Sequence, residues 1–122
     1  MFAGDTILIP GADDHLWTVI SDPVANPPEM VVVLFVSLAE DCDDSCVLEP
    51  GEHPFIRHST AVQYPGTKVV PDARLEELKK SGKLKMKTPL SPATLEKIRR
   101  CAEVSDIPLR PYEILREQGF VP

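Results

Sequence analysis

The sequence predicts a mainly β chain with helices towards its C-terminal end, an α+β fold built as one domain over residues 1–122. Three observations carry that expectation. Short runs rich in β-branched and aromatic residues, separated by clusters of Gly, Pro, Asn and Asp, fill residues 1–70. After Pro71 the apolar period changes to that of a helix. A chain of 122 residues with a hydrophobic fraction of 43% also holds enough apolar material for one core. Residues 1–70 are therefore read as the strands of a small β-barrel or curled sheet, and residues 71–122 as a helical part packed on it.

Each element has its own signal. "DTILIP" (Asp5–Pro10) and "HLWTVISD" (His15–Asp22) flank the turn cluster "GADD" and read as a hairpin. "VANPPE" is a loop, because adjacent prolines remove donors and hold the backbone extended. "MVVVLFVSL" (Met30–Leu38) is continuously apolar and reads as a central strand buried on both faces, with Trp17 of the hairpin placed in the core. Next come an acidic turn, a short "CVLEP" strand, a "GEHP" turn and an alternating strand "FIRHSTAVQY" (Phe55–Tyr64), with "TKVV" closing the sheet. Asp72 reads as the N-cap of a helix that buries Leu75 and Leu78 and stops at Gly82. "KLKMK" fits a short strand. Ser91 and Pro92 read as N-cap and N1 of a helix that places Leu95, Ile98 and Ala102 on one face. A last helix runs from Pro111 to Gln118 and is stopped by Gly119.

Net charge is −6, which taken alone argues against a nucleic-acid partner. The average conceals a segregation. Residues 1–65 hold eleven acids and one base, Arg57, whereas residues 66–100 hold ten bases and four acids, centred on "KKSGKLKMK". That basic segment serves either as a counter-charge to the first half or as a surface for phosphate. Three cysteines without a secretory signal are expected to be reduced thiols, and Cys101, set in a helical pattern, to be small and buried. No run approaches a membrane span and the N-terminal stretch has no signal-peptide pattern, so a cytoplasmic protein with no membrane partner is expected.

The densest chemistry lies in "CDDSCVLEPGEHPFIRHST". Cys42, Cys46, His53 and His58 have the ligand types of a structural zinc site at the spacing C-x3-C-x6-H-x4-H. The central gap is about half that of a zinc finger, and an acidic turn followed by a strand accounts for all four residues without metal. No metal or other cofactor is assigned, and a zinc-stabilised module stays as an alternative. A nucleophilic Cys46 is disfavoured because Glu40, Asp41, Asp43 and Asp44 oppose a thiolate. Asp13, Asp14, Asp41, Asp43, Asp44 and Glu52 form no Asp-x-Asp-x-Asp-Gly loop and read as solvated turn residues rather than a Mg²⁺ or Ca²⁺ site.

The order "GDTILIP", "WTVISDP", "VVVLFVSL", "STAVQY", "DARLEELKKSGKL" and "SPATLEKIRRCAEV" resembles the PemK/MazF-type toxin family between Gly4 and Val104. The resemblance implies an SH3-like barrel of PemK/MazF type, a homodimer, metal-independent cleavage of single-stranded RNA, and restraint by a small antitoxin protein. The family's Arg-Pro pair before the second strand is matched here by His15 and Leu16, and its Ser or Thr at the end of the third strand by Ser37. The segment "DDSCVLEPGEHPFIRHST" lies outside the family pattern.

RNA cleavage by an adjacent ribose 2′-OH needs a base, an acid for the leaving 5′ oxygen and cations for the charged transition state. "HPFIRHS" supplies two imidazoles, a guanidinium and a hydroxyl. On a strand, Arg57 and Ser59 share one face and His58 and Thr60 the other, with His53 approaching from the preceding turn. The candidate site is therefore His53, His58 and Arg57, with Ser37, Ser59 and His15 as positioning groups and Lys83 and Lys85 holding the RNA backbone. The competing reading is a non-catalytic barrel whose acidic half binds a protein partner.

Overall fold

The protein was analysed as a computed structural model, which describes residues 1–9, 15–39 and 42–122. Its elements run β1 (Thr6–Leu8), β2 (Leu16–Val19), β3 (Glu29–Ser37), β4 (Val47–Leu48), β5 (Thr60–Pro71), α1 (Asp72–Lys80), β6 (Lys85–Lys87), α2 (Pro92–Cys101), a 3₁₀ turn (Ala102–Val104) and α3 (Leu109–Glu117). The strands form one antiparallel sheet in the order β4-β5-β3-β2-β1-β6, curled into a half-barrel. The chain is thus mainly β with three helices, as the change of period at Pro71 predicts.

The expected hairpin forms, with Ile7 opposite Trp17 and Leu8 opposite Leu16, while its turn at residues 11–14 lies outside the described residues. β3 is the central strand. Val31, Val33 and Phe35 enter a main core with Leu16, Tyr64, Ile98, Ile114 and Leu115, whereas Met30 and Val32 enter a second core with Ile7, Val19 and Leu75. A continuous apolar run has no polar face to give to water, so both sides of β3 are covered: one by α2 and α3, the other by α1. Trp17 is only half-buried, at the edge of the second core. No helix among the described residues is long and apolar enough to cross a membrane.

Three expectations are corrected. The strand expected over Phe55–Tyr64 begins at Thr60; residues 55–59 belong to a loop, and "TKVV" continues the same strand to Pro71. Pro54 cannot donate to a ladder, and the alternation of the next residues has no partner strand to read it. Within β5, Tyr64–Thr67 stand opposite Val33 alone, since Val32 pairs with Lys68 and Leu34 with Gln63. Pro65 and Gly66 fall inside this bulge, where the missing N–H costs no ladder bond and the strand bends. Second, Asp72 is not an N-cap. It is the first residue of α1 behind Pro71, and its carboxylate instead accepts from the Met1 ammonium at 2.7 Å. Third, Cys101 is half-buried rather than buried.

Two more expectations shift: Leu78 is half-buried, and the last helix begins at Leu109, two residues before Pro111. The helix-start and helix-stop signals are met. Ser91 Oγ accepts from the Thr94 N–H at 3.2 Å and Pro92 opens α2. Gly82 (φ +77°) and Gly119 (φ +81°) follow α1 and α3 in the left-handed conformation that stops a helix. Tyr64 is fully buried and donates from its hydroxyl to the Ile98 carbonyl at 2.6 Å, pinning α2 on the sheet.

Candidate functional site

The loop from β4 to β5 is folded by its own polar groups. Pro50 and Gly51 (φ +103°) make a turn closed by the Glu49 N–H on the Glu52 carboxylate at 2.7 Å and the Glu52 N–H on the Glu49 carbonyl at 3.1 Å. Lys97 Nζ reaches across from α2 to the Glu52 carboxylate at 3.0 Å and to the Val47 carbonyl at 2.9 Å. Partial burial pushes the Glu52 carboxyl up, but the Glu49 N–H and the Lys97 ammonium outweigh it and hold it below the ordinary carboxylate range. The next turn, with the Ile56 N–H on the His53 carbonyl at 2.9 Å, buries Ile56 in the main core and leaves Phe55, Arg57 and His58 exposed.

His53 is the buried member of this loop, at 4% exposure. Its Nδ1 accepts from the Phe55 N–H at 3.1 Å, so Nε2 carries the proton and donates to the Thr88 carbonyl just after β6. Thr6 Oγ1 donates to the same carbonyl. His53 thereby ties the loop beyond one edge strand to the chain leaving the other, and draws the half-barrel together. Both of its ring nitrogens are engaged with backbone, which makes it a positioning residue rather than an acid or base.

His58 is disposed the other way. Its Nδ1 lies 3.2 Å from the Ser59 carbonyl, which only accepts, so Nδ1 bears the proton. Nε2 is left with a lone pair 3.4 Å from Ser37 Oγ at the end of β3. The imidazole is exposed and held in one tautomer, as a general base requires. Ser59, by contrast, donates from Oγ to the Glu49 carboxylate at 2.8 Å, so its hydroxyl hydrogen is engaged there.

Two adjoining clefts meet at His58 and Phe55. One, of about 580 Å³, is lined by His53, Phe55, Arg57, His58, Lys87 and Thr88. The other, of about 270 Å³, is lined by His15, Phe35, Ser37, Ile56 and His58 among others. No described Asp or Glu lines either cleft, although the chain carries a net charge of −6. Among the described residues, then, the cationic and imidazole groups of the clefts have no carboxylate in the same lining.

Of the candidates from the sequence, His15, Ser37, His53, Arg57 and His58 line this double cleft. Lys83 sits in the turn after α1 and Lys85 opposite Leu8; neither lines the clefts. The lysine that does is Lys87, which shares a strand face with Lys85 by the two-residue period. Phe55, 43% exposed between the clefts, has no separate signal in the sequence, where it is one of an alternating series. The role of the Thr88 carbonyl had no signal in the sequence, since only tertiary contact brings it to His53.

The four candidate zinc ligands take separate partners. Cys42 Sγ donates to the Ala39 carbonyl at 2.9 Å, Cys46 is buried in the main core, His53 bonds Thr88 and His58 faces Ser37. No group of three or more His, Cys, Asp or Glu placed to hold a metal ion occurs among the described residues. Asp43 and Glu52 serve as turn and tether residues: Asp43 accepts from the Ser45 and Asp106 N–H groups, each at 2.9 Å. Glu40, Asp41, Asp13 and Asp14 lie outside the described residues. Comparison of the chain with protein-family models, curated proteins and solved structures finds no match.

Proposed function

We propose that the protein is a toxin-like, metal-independent endoribonuclease for single-stranded RNA, a divergent relative of the PemK/MazF type, with the double cleft as its active site. The observation that carries the reading is the composition of that cleft: three imidazoles, a guanidinium, an ammonium and hydroxyls, with no described carboxylate, in an acidic chain. His58 Nε2 takes the proton of the ribose 2′-OH as its oxygen attacks phosphorus. The P–O5′ bond breaks, His15 protonates the leaving oxygen, and the products are a 2′,3′-cyclic phosphate and a 5′-OH end. Arg57 and Lys87 stabilise the charge that gathers on the phosphoryl oxygens. Ser37 orients His58, and Phe55 offers a face to an unstacked base. A homodimer and a small antitoxin partner belong to the same proposal.

The test is cleavage of a long unstructured RNA by the purified protein, with and without EDTA and beside His58→Ala. Cutting that survives EDTA, leaves a cyclic phosphate end and disappears in the variant is the expected result. No cutting at concentrations where a PemK/MazF-type enzyme degrades the RNA fully overturns the proposal.

A second reading, a non-catalytic barrel that docks a protein partner, has one observation in its favour. On the opposite side of the sheet a groove of about 320 Å³ is lined by Ile7, Trp17, Val32, Val70 and Leu75, with Lys68 and Arg74 also in its wall. Its cations favour an apolar partner segment bearing acids, the reverse of the basic partner that the acidic first half leads one to expect.

A further inference from the structure

Cys46 and Cys101 belong to no part of the proposed site. The segment that leads into β4 runs antiparallel to the end of α2 and the 3₁₀ turn beyond it, and side chains stitch the two together. The Asp106 N–H donates to Asp43 Oδ2 at 2.9 Å, Ser45 Oγ donates to the Val104 carbonyl at 3.3 Å, and Lys97 Nζ donates to the Val47 carbonyl at 2.9 Å. Cys46 lies between Ser45 and Val47, and Cys101 lies between Lys97 and Val104, one helical turn beyond Lys97. The bracketing contacts set the two thiols against each other at the edge of the main core, where Cys46 is 2% exposed and Cys101 is half-buried.

We propose that Cys46 and Cys101 form a redox modification site, a thiol pair that a peroxide converts into an intramolecular disulfide. Burial pushes the Cys46 thiol up and its Cys101 neighbour adds to the shift, so the more accessible Cys101 reacts first. The Cys101 thiolate attacks one oxygen of hydrogen peroxide, the O–O bond breaks, and a sulfenic acid and hydroxide result. The Cys46 sulfur then attacks the Cys101 sulfur; the S–S bond forms, the S–OH bond breaks, and the Cys46 proton leaves with the hydroxyl as water. Two thiols are oxidised and one peroxide is reduced to two waters in all. Cys42, whose thiol is tied to the Ala39 carbonyl in the preceding turn, stays out of the pair. The bond staples the entry of β4 to the end of α2 and restricts the unfolded chain across a long loop, which raises the melting temperature by about 5 °C or more.

The experiment treats the full chain with a small excess of hydrogen peroxide, then blocks free thiols with maleimide under denaturing conditions. The expected result is a species lighter by two hydrogens that takes up one maleimide, on Cys42. A non-reducing digest joins the Cys46 and Cys101 peptides, and dithiothreitol reverses both the mass change and the rise in melting temperature. Cys42→Ser behaves in the same way, and Cys101→Ser, a change at a half-exposed helix end, abolishes the cross-link. A disulfide that includes Cys42, a cross-link that persists in Cys101→Ser, or accumulation of Cys101 sulfinic acid while Cys46 still takes maleimide would each overturn the proposal.

Discussion

Ser37 Oγ and His58 Nε2 lie 3.4 Å apart, one at the end of the central strand and the other in the loop before β5, and the Ser59 carbonyl on Nδ1 keeps the lone pair of Nε2 towards Ser37. That arrangement makes His58 the base of the proposed reaction and Ser37 its positioning residue. His58→Ala is expected to lower kcat/KM for RNA cleavage by about 10²- to 10⁴-fold. Ser37→Ala removes one neutral hydrogen bond and is expected to cost about tenfold. Because both side chains are exposed, neither change moves the urea midpoint appreciably. Steady-state kinetics beside urea denaturation checks both parts.

Lys87 and Arg57 line the larger cleft and Lys83 does not. The salt dependence of RNA affinity separates them. Lys87→Ala and Arg57→Ala should each flatten the plot of log affinity against log salt by about 0.7, the share of one single-strand phosphate contact, whereas Lys83→Ala should leave the slope alone. Binding isotherms at four salt concentrations decide the matter; equal effects at all three positions would mean that the cleft is not the RNA path.

His53 is expected to fail differently from His58. Its ring spans the Phe55 N–H and the Thr88 carbonyl in a buried setting, so His53→Ala strands the Phe55 donor and leaves a cavity, at a cost of about 2–3 kcal/mol. Urea unfolding measures that loss. Residual activity per folded molecule should stay within about tenfold of the parent; a variant as stable as the parent but inactive would return His53 to the catalytic set.

The Glu52 to Lys97 tether gives stability a defined dependence on pH. The Glu52 carboxyl is held below its ordinary value of 4.5, so the unfolded chain binds its proton first as pH falls. Its stabilising contribution is therefore complete above that value and is lost as pH falls through the folded value. Glu52→Gln, which lacks the charge, should be less stable than the parent at pH 7 and converge with it towards about pH 3. Urea midpoints of the two proteins across that range provide the check; a constant gap would show that the tether acts through packing alone.

Much of the architecture could be read from local patterns, because each rests on forces that act over a few residues. Adjacent apolar residues from Met30 to Leu38 leave no face for water, Ser91 and Pro92 satisfy a helix start, and Gly82 and Gly119 adopt a backbone conformation that stops one. Local pattern misled where a distant partner supplied the decisive contact. Phe55–Ser59 alternates like a strand, yet no strand pairs with it, since β4 and β3 meet β5 only from Thr60 onward. Asp72 has the chemistry of a cap and spends it on the Met1 ammonium.

The same division holds for the candidate site. Residue chemistry nominated His53, Arg57, His58 and Ser59, and the family resemblance added His15 and Ser37. Which histidine keeps a free nitrogen is a different kind of question. The Ser59 carbonyl that fixes His58 is its neighbour in the chain, but the Thr88 carbonyl that engages His53 lies 35 residues away and reaches it only through the curl of the sheet, as does the placing of Lys87 rather than Lys83 at the cleft.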